Sequence, residues 1–342
     1  MLSGEIPRAF PAASVAVTAQ GRLVALQGFG HFTEAPDSPL VNADAVLDLA
    51  SLTKVLATTT MAMLLYERGL LDLDMPVAGV VPEFAAADPR RKQVTLRQLL
   101  AHSSGLPGYE KLFLQAGTRE ELLSATFATP LAADPGTSAV YSDIGFILLG
   151  IALERLADDT LSAFCQREIF GPLSMANTGF NPPPEQRTSI PPTVNDHSFR
   201  HRIIQGKVHD ENASVMGGVA GHAGLFAPAE DVARFAHMML AGGYPILRPG
   251  TISLFTRREA QPVETSRALG WDTPSSPSQS GKHFSPGSFG HLGYTGTSLW
   301  IDPVRHISIT LLTNRTWPDC ANERIQQVRP QFHDAVMEAL QT

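Results

Sequence analysis

Ser51-Leu52-Thr53-Lys54 opens the apolar run Val55-Leu56-Ala57, which continues through Leu64-Leu65 to Arg68. Apolar side chains at 55, 56, 61, 64 and 65 follow helical spacing, and Gly69 suits the end, so a long helix over 51–68 is predicted. Three residues apart on a helix, Ser51 and Lys54 share a face. A serine hydroxyl is a weak nucleophile until a neighbouring base takes its proton, and lysine can do so once burial depresses its pKa. At a helix start the serine also meets the positive field of unpaired N–H groups, which suits a developing oxyanion. The blander reading is a capping Ser51 and an exposed Lys54. Against it, this is the one S-x-x-K of the chain, and the helix that follows is apolar enough to bury it.

Working outward, Ser14–Thr18 and Leu23–Leu26 are β-rich runs parted by Ala19-Gln20-Gly21-Arg22, which reads as a hairpin. Residues 297–301 and 306–313 form a second apolar pair around Asp302-Pro303, followed by helical spacing over 324–340. Further helices are predicted at 96–101, 119–126, 144–157, 161–169 and 229–240. The Pro-rich stretch 181–193 and the Ser/Pro/Gly-rich stretch 272–289 are expected as long surface loops. Strands at both ends with helices between them predict a sheet assembled from the two termini, with a helical region inserted.

The 342 residues suit one large domain or two intimate ones, and 43% hydrophobic with 17% charged composition can bury a sizeable core. A net charge of −7 without any basic stripe argues against nucleic acid. Cys165 and Cys320 match no zinc or redox spacing and are expected as inert thiols. No apolar stretch is long enough to span a bilayer. Residues 1–10 lack the pattern of a signal peptide, so a soluble, cytoplasmic protein is expected, with the periplasm as the alternative if a leader has been removed. No G-x-S-x-G elbow, third Rossmann glycine or G-x-x-x-x-G-K is present, which excludes three common enzyme classes.

Two further elements carry chemistry. Tyr141-Ser142-Asp143 precedes the apolar helix from Ile144, and a phenol and a carboxylate two residues apart can both face one cleft. A tyrosine near a buried lysine can shuttle a proton to a leaving group; the alternatives are a core tyrosine and an N-capping Asp143. His291-Leu292-Gly293-Tyr294-Thr295-Gly296-Thr297-Ser298 runs into a strand, where glycines permit close approach and a backbone N–H can join that of Ser51 in an oxyanion hole.

In this order and at these separations, the three elements resemble the S-x-x-K, Y-x-N and K-T-G boxes of the class C β-lactamase and D,D-peptidase superfamily. The resemblance extends to Arg68–Asp74, Leu99–Pro107, Pro135-Gly136-Thr137, Pro172–Met175 and Gly221-His222-Ala223-Gly224-Leu225-Phe226, and so to nearly the whole chain. It implies an α/β fold with a central antiparallel sheet built from both chain ends, flanked by helices. The α/β part would comprise 1–70 and 285–342, the mostly helical insert 71–284, with the active site between them. It further implies Ser51 as nucleophile, Lys54 as base or base-orienting partner and Tyr141 as proton donor to the leaving group. The N–H groups of Ser51 and Tyr294 would form the oxyanion hole beside Gly293 if His291-Leu292-Gly293 is the third box; Tyr294-Thr295-Gly296 is the shifted alternative. No metal or organic cofactor is implied.

Asp143 stands where the pattern has asparagine, exchanging a donor for an acceptor that can pair with Lys54 and move base duty towards Tyr141. His291 stands where it has lysine, so the fixed charge that suits a substrate carboxylate is missing. Esterases and some amidases or peptidases of the superfamily resemble this histidine version. Val208-His209-Asp210-Glu211-Asn212-Ala213 and the following glycine-rich turn to His222 are similar to a subgroup associated with cell-wall recycling, including enzymes that cut N-acetylmuramyl–L-alanine amides. His209, Asp210 and His222 would then shape the substrate site, or else form a hydrogen-bonded structural loop; a metal site there is disfavoured by the spacing. His102 is expected to fix a turn, and Trp271 to lie in the core or line the acyl pocket. The function expected is a serine hydrolase of ester or amide bonds in a small-molecule substrate, either a carboxylesterase or a muropeptide amidase. A penicillin-recognising β-lactamase or D,D-carboxypeptidase is the alternative, and a non-catalytic binding protein the rival of another class.

Overall fold

A computed structural model of the protein describes residues 1–86 and 88–340. Its strands are β1 (Ala12–Ala19), β2 (Arg22–Gly30), β3 (Val46–Asp48), β4 (Gly179–Phe180), β5 (Val194–Asp196), β6 (Arg202–Ile204), β7 (Leu225–Pro228), β8 (Phe289–Leu292), β9 (Ser298–Asp302) and β10 (Ile307–Thr313). Its α-helices are α1 (Thr60–Glu67), α2 (Leu96–Leu100), α3 (Arg119–Ala128), α4 (Asp143–Ala157), α5 (Leu161–Cys165), α6 (Glu211–Val215), α7 (Ala229–Leu240), α8 (Pro249–Thr256) and α9 (Ile325–Ala339).

The main sheet has the order β2-β1-β10-β9-β8, all antiparallel, so the first and last strands of the chain meet at its centre. Register pairs Val15 with Leu311 and Ile309 with Trp300. One face, including Ala13, Val15, Trp300 and Leu311, packs under Val328 and Phe332 of α9. The other, including Ala16, Leu299 and Leu312, joins the larger core with Phe235 of α7. With both faces covered, β10 (Ile307-Ser308-Ile309-Thr310-Leu311-Leu312-Thr313) is buried along its whole length, its hydroxyl residues Ser308, Thr310 and Thr313 included.

Helix starts follow local chemistry. Thr95 with Gln98 and Thr118 with Glu121 form capping boxes for α2 and α3. Ser142, not Asp143, caps α4 by accepting the Gly145 N–H, and Asp158 in the left-handed region ends it. The predicted helix over 51–68 is broken: a 3₁₀ turn (Ala50–Leu52) passes through a π segment (Lys54–Thr59) into α1. Inserted π turns are frequent at functional sites because they re-aim side chains. Trp271 lies wholly in the core, between Phe235 and Phe289. Among the described residues, no helix is long and apolar enough to cross a membrane.

Candidate active site

Ser51 is placed by a strained turn. Ala50 sits at φ +46°, a region costing a non-glycine residue about 1 kcal/mol, and its N–H donates to Asp48 Oδ1 at 2.8 Å. Asp48 is fully buried; its other oxygen accepts the His209 N–H at 2.6 Å, and burial pushes its pKa up to about 6. Thr53 Oγ1 closes the turn by donating to the Ala50 carbonyl at 2.6 Å. From across the cleft, Thr295 Oγ1 donates to the Asp48 carbonyl and Thr297 Oγ1 to that of Leu49, at 2.9 and 3.0 Å. The turn that aims the serine is thus bolted to the β8–β9 connection.

The Lys54 ammonium is completely buried, and each of its three protons has an acceptor: Ser51 Oγ at 3.0 Å, Asp143 Oδ1 at 2.7 Å and the His222 carbonyl at 3.0 Å. Burial works to lower its pKa, but the Asp143 carboxylate and Tyr141 outweigh burial and hold it above the usual lysine value. At neutral pH it is therefore charged. Tyr141 Oη lies 2.8 Å from Ser51 Oγ, with the Lys54 ammonium 4.8 Å from its ring centre. Burial raises the phenol pKa against the opposing pull of Lys54. The loop carrying Tyr141 is held by His102, itself at φ +56°, whose Nδ1 accepts the Ser142 N–H at 3.0 Å. Burial keeps that imidazole neutral, as an acceptor must be.

His291 Nδ1 lies 2.7 Å from the Leu292 carbonyl, which only accepts, so Nδ1 carries the proton. Burial, then Lys54 and Arg267, push its pKa well below the ordinary value. Nε2 is consequently a lone-pair acceptor, buried beside Tyr141 with its ring 5.9 Å away and without a protein partner. Among the described residues, neither the Ser51 nor the Tyr294 N–H donates to a protein acceptor. Gly293 admits no side chain: an added Cβ would lie 1.9 Å from Thr297 Oγ1 and 2.6 Å from the Leu49 carbonyl. Gly293→Ala is expected to push the connection off the serine turn and reduce kcat about 100-fold, the scale of losing one oxyanion donor. Ester turnover by a variant with unchanged circular dichroism measures this, and wild-type kcat would refute the placement.

His209, Asp210 and His222 line the same cleft. His222 Nε2 donates to Asp210 Oδ1 at 2.8 Å; burial opposes the Asp210 charge, but His222 holds its pKa down at about 2. His209 is neutral, its pKa lowered to about 4 by burial. The cleft encloses about 840 Å³ and is also lined by Tyr109, Lys111, Arg267, Arg315 and Arg329. Sequence reasoning expected His102 to fix a turn, as it does, but missed Asp48 and the three arginines as parts of the site. For Arg329 a signal exists: helical spacing over 324–340 puts it on the face shared by Ile325, Val328 and Phe332, a cation where only apolar groups are expected.

A β-lactamase family model matches residues 5–331. The chain is 32% identical to the N-acetylmuramyl-L-alanine amidase of Bacillus subtilis (strain 168), over 92% of this chain and 79% of that one. It is 30% identical to a Salmonella agona (strain SL483) protein provisionally ascribed D-alanyl-D-alanine carboxypeptidase activity, over 95% and 83% of the two chains. Among solved structures, unliganded simvastatin synthase (LovD) of Aspergillus terreus superposes with a TM-score of 0.78 at 22% identity, covering 99% and 96%. EstCE1, a hydrolase with promiscuous acyltransferase activity, superposes at 0.75 and 21% identity, covering 96% of each. At such identities these two structures establish the α/β fold alone.

Proposed function

We propose, from the premise that this chain belongs to the β-lactamase family and is a serine hydrolase of that family, that it cleaves muropeptide-type amides through an acyl-enzyme on Ser51. One observation carries the reading: Ser51 Oγ lies 3.0 Å from the buried Lys54 Nζ and 2.8 Å from Tyr141 Oη at the cleft wall. Once the Lys54–Tyr141 pair has released one proton to solvent, Oγ attacks the carbonyl, its proton passes into that pair, and the oxyanion is received by the N–H groups of Ser51 and Tyr294. Tyr141 then gives a proton to the departing amine, and water releases the acyl group by the reverse route. His291 Nε2 offers the substrate amide N–H an acceptor. His209, Asp210 and His222 shape the wall of the cleft. In this reading the site lies between the α/β part, 1–70 with 285–342, and the insert, 71–284.

The substrate class rests on three supports. The Bacillus subtilis relative is named for the N-acetylmuramyl–L-alanine bond. A cleft of about 840 Å³ has room for a sugar and an amino acid beyond the scissile bond. The Arg267 guanidinium lies 5.3 Å over the Tyr141 ring, which places a cation on the leaving-group side, where a released L-alanine carries its carboxylate. Arg267 thereby supplies the charge that His291 lacks.

The test compares release of L-alanine from N-acetylmuramyl-L-alanine with release of L-alaninamide from the corresponding amide and with cleavage of p-nitrophenyl butyrate. Arg267→Gln is expected to lower kcat/KM roughly 10- to 100-fold on the carboxylate substrate only, the worth of one charge-assisted hydrogen bond. Ester cleavage without any L-alanine release by the wild type would sink the amidase reading in favour of an esterase. Faster attack on D-alanyl-D-alanine peptides would favour the carboxypeptidase reading instead.

A further inference from the structure

Each of the two N–H groups assigned to the oxyanion belongs to a peptide whose carbonyl is also engaged. The Ala50–Ser51 carbonyl accepts from Thr53 Oγ1 at 2.6 Å, a neutral donor. The carbonyl of Gly293, in the same peptide group as the Tyr294 N–H, accepts Nη2 of Arg329 at 2.6 Å. Nε of that guanidinium reaches the Gly296 carbonyl at 3.3 Å, while Arg315 donates to the Tyr294 carbonyl at 2.7 Å and lies over the Tyr294 ring at 4.3 Å. Among the described residues, Arg329 donates to the Gly293 and Gly296 carbonyls and Arg315 to those of Tyr294, Cys320 and Asn322, and neither guanidinium donates to a carboxylate. Arg329 enters from the buried face of α9 and is only 6% exposed, so a cation has been placed in the interior with no carboxylate partner among the described residues. Such burial is costly and calls for a reason.

We propose that Arg329 is a positioning residue for catalysis: its guanidinium polarises the Gly293–Tyr294 peptide and fixes its plane, making the Tyr294 N–H a stronger, pre-aimed oxyanion donor. A charged donor on a carbonyl oxygen draws electron density from the amide nitrogen, and chains of hydrogen bonds strengthen one another in this way. A fixed donor also needs no reorganisation when charge develops. The proposal rests on the reading of Tyr294 N–H as an oxyanion donor to the Ser51 adduct.

The test uses the full chain as Arg329→Gln and Arg329→Lys, with p-nitrophenyl butyrate turnover and the infrared carbonyl band of the trapped acyl-enzyme. Arg329→Gln is expected to lower kcat roughly tenfold with KM little changed, a part of the 10²- to 10³-fold worth of a whole oxyanion donor. Its acyl carbonyl band should move towards that of the free ester, and Arg329→Lys should recover part of both effects. If Arg329→Gln fails to fold, the band in Arg329→Lys, intermediate or at the wild-type position, decides alone. A wild-type band in a folded variant overturns the Arg329 role and leaves the acyl-enzyme standing. Absence of any Ser51 adduct on the wild type overturns both.

Discussion

In Ser51→Ala, turnover of p-nitrophenyl butyrate is expected to fall by roughly 10⁴-fold or more, because a catalytic unit that loses its nucleophile retains only what binding and the oxyanion donors supply. Intact-mass spectrometry after a fluorophosphonate or the ester should show one adduct per wild-type chain and none on the variant. The loss is chemical rather than structural. Removing Oγ takes one acceptor from Lys54, which keeps Asp143 and the His222 carbonyl, and one partner from Tyr141, which lies at the cleft wall. The strained backbone at Ala50 is held by Asp48 and Thr53, not by the serine side chain. Stability is therefore expected to change by about 1 kcal/mol at most, the net worth of a hydrogen bond or two. A labelled Ser51→Ala chain, or one retaining a per cent of wild-type turnover, would show that another group is the nucleophile.

What was legible beforehand follows from burial. Strands β1, β9 and β10 are buried along nearly their whole length, so apolar and β-branched residues dominate them, bounded by turn residues at the two ends of the chain, and the two-ended sheet follows from them. Strand β8 does not stand out: it is four residues long and contains Gly290, where a Cβ would lie 2.4 Å from the Trp300 ring. Packing imposes a glycine there that propensity counts against a strand. Ser51, Lys54 and Tyr141 were legible because three motifs in the right order, with further stretches along the chain, resemble the β-lactamase superfamily; an isolated S-x-x-K is too common to decide anything. Asp48 was not legible, and of His102 only the turn was, since each acts on main-chain N–H groups brought near by folding: Asp48 on those of Ala50 and His209, His102 on that of Ser142. The break of the 51–68 helix into 3₁₀, π and α turns was equally hidden, because apolar periodicity over so few residues does not separate their pitches.

The Lys54–Asp143 pair yields the other large effect. Lys54→Met is expected to cost roughly 10³- to 10⁴-fold in kcat/KM, the upper range for a proton-transfer partner. It should also destabilise the fold by about 3–5 kcal/mol, since it leaves Asp143 facing a buried site without its cation. Adding Asp143→Asn removes that stranded charge, so Lys54→Met/Asp143→Asn should recover stability but not activity; an equally unstable double variant would refute the pair as the cause.

Asp143→Asn alone tests the direction of the proton. In the resting site Lys54 is charged and Tyr141 neutral, both pKa values standing above their ordinary positions, so the pair holds one proton more than a base can hold. Activity should therefore rise with pH through and above neutrality as that proton is lost, with no inflection from His291, which is already neutral. Without the Asp143 carboxylate, burial dominates and the Lys54 pKa falls. The ascending limb of kcat/KM should then move to lower pH, by about one unit or more, since the charge removed sits in direct contact with the ammonium. A limb that stays in place would mean that neither member of the pair sets the proton inventory of the attack, and base duty would have to be sought outside Lys54 and Tyr141.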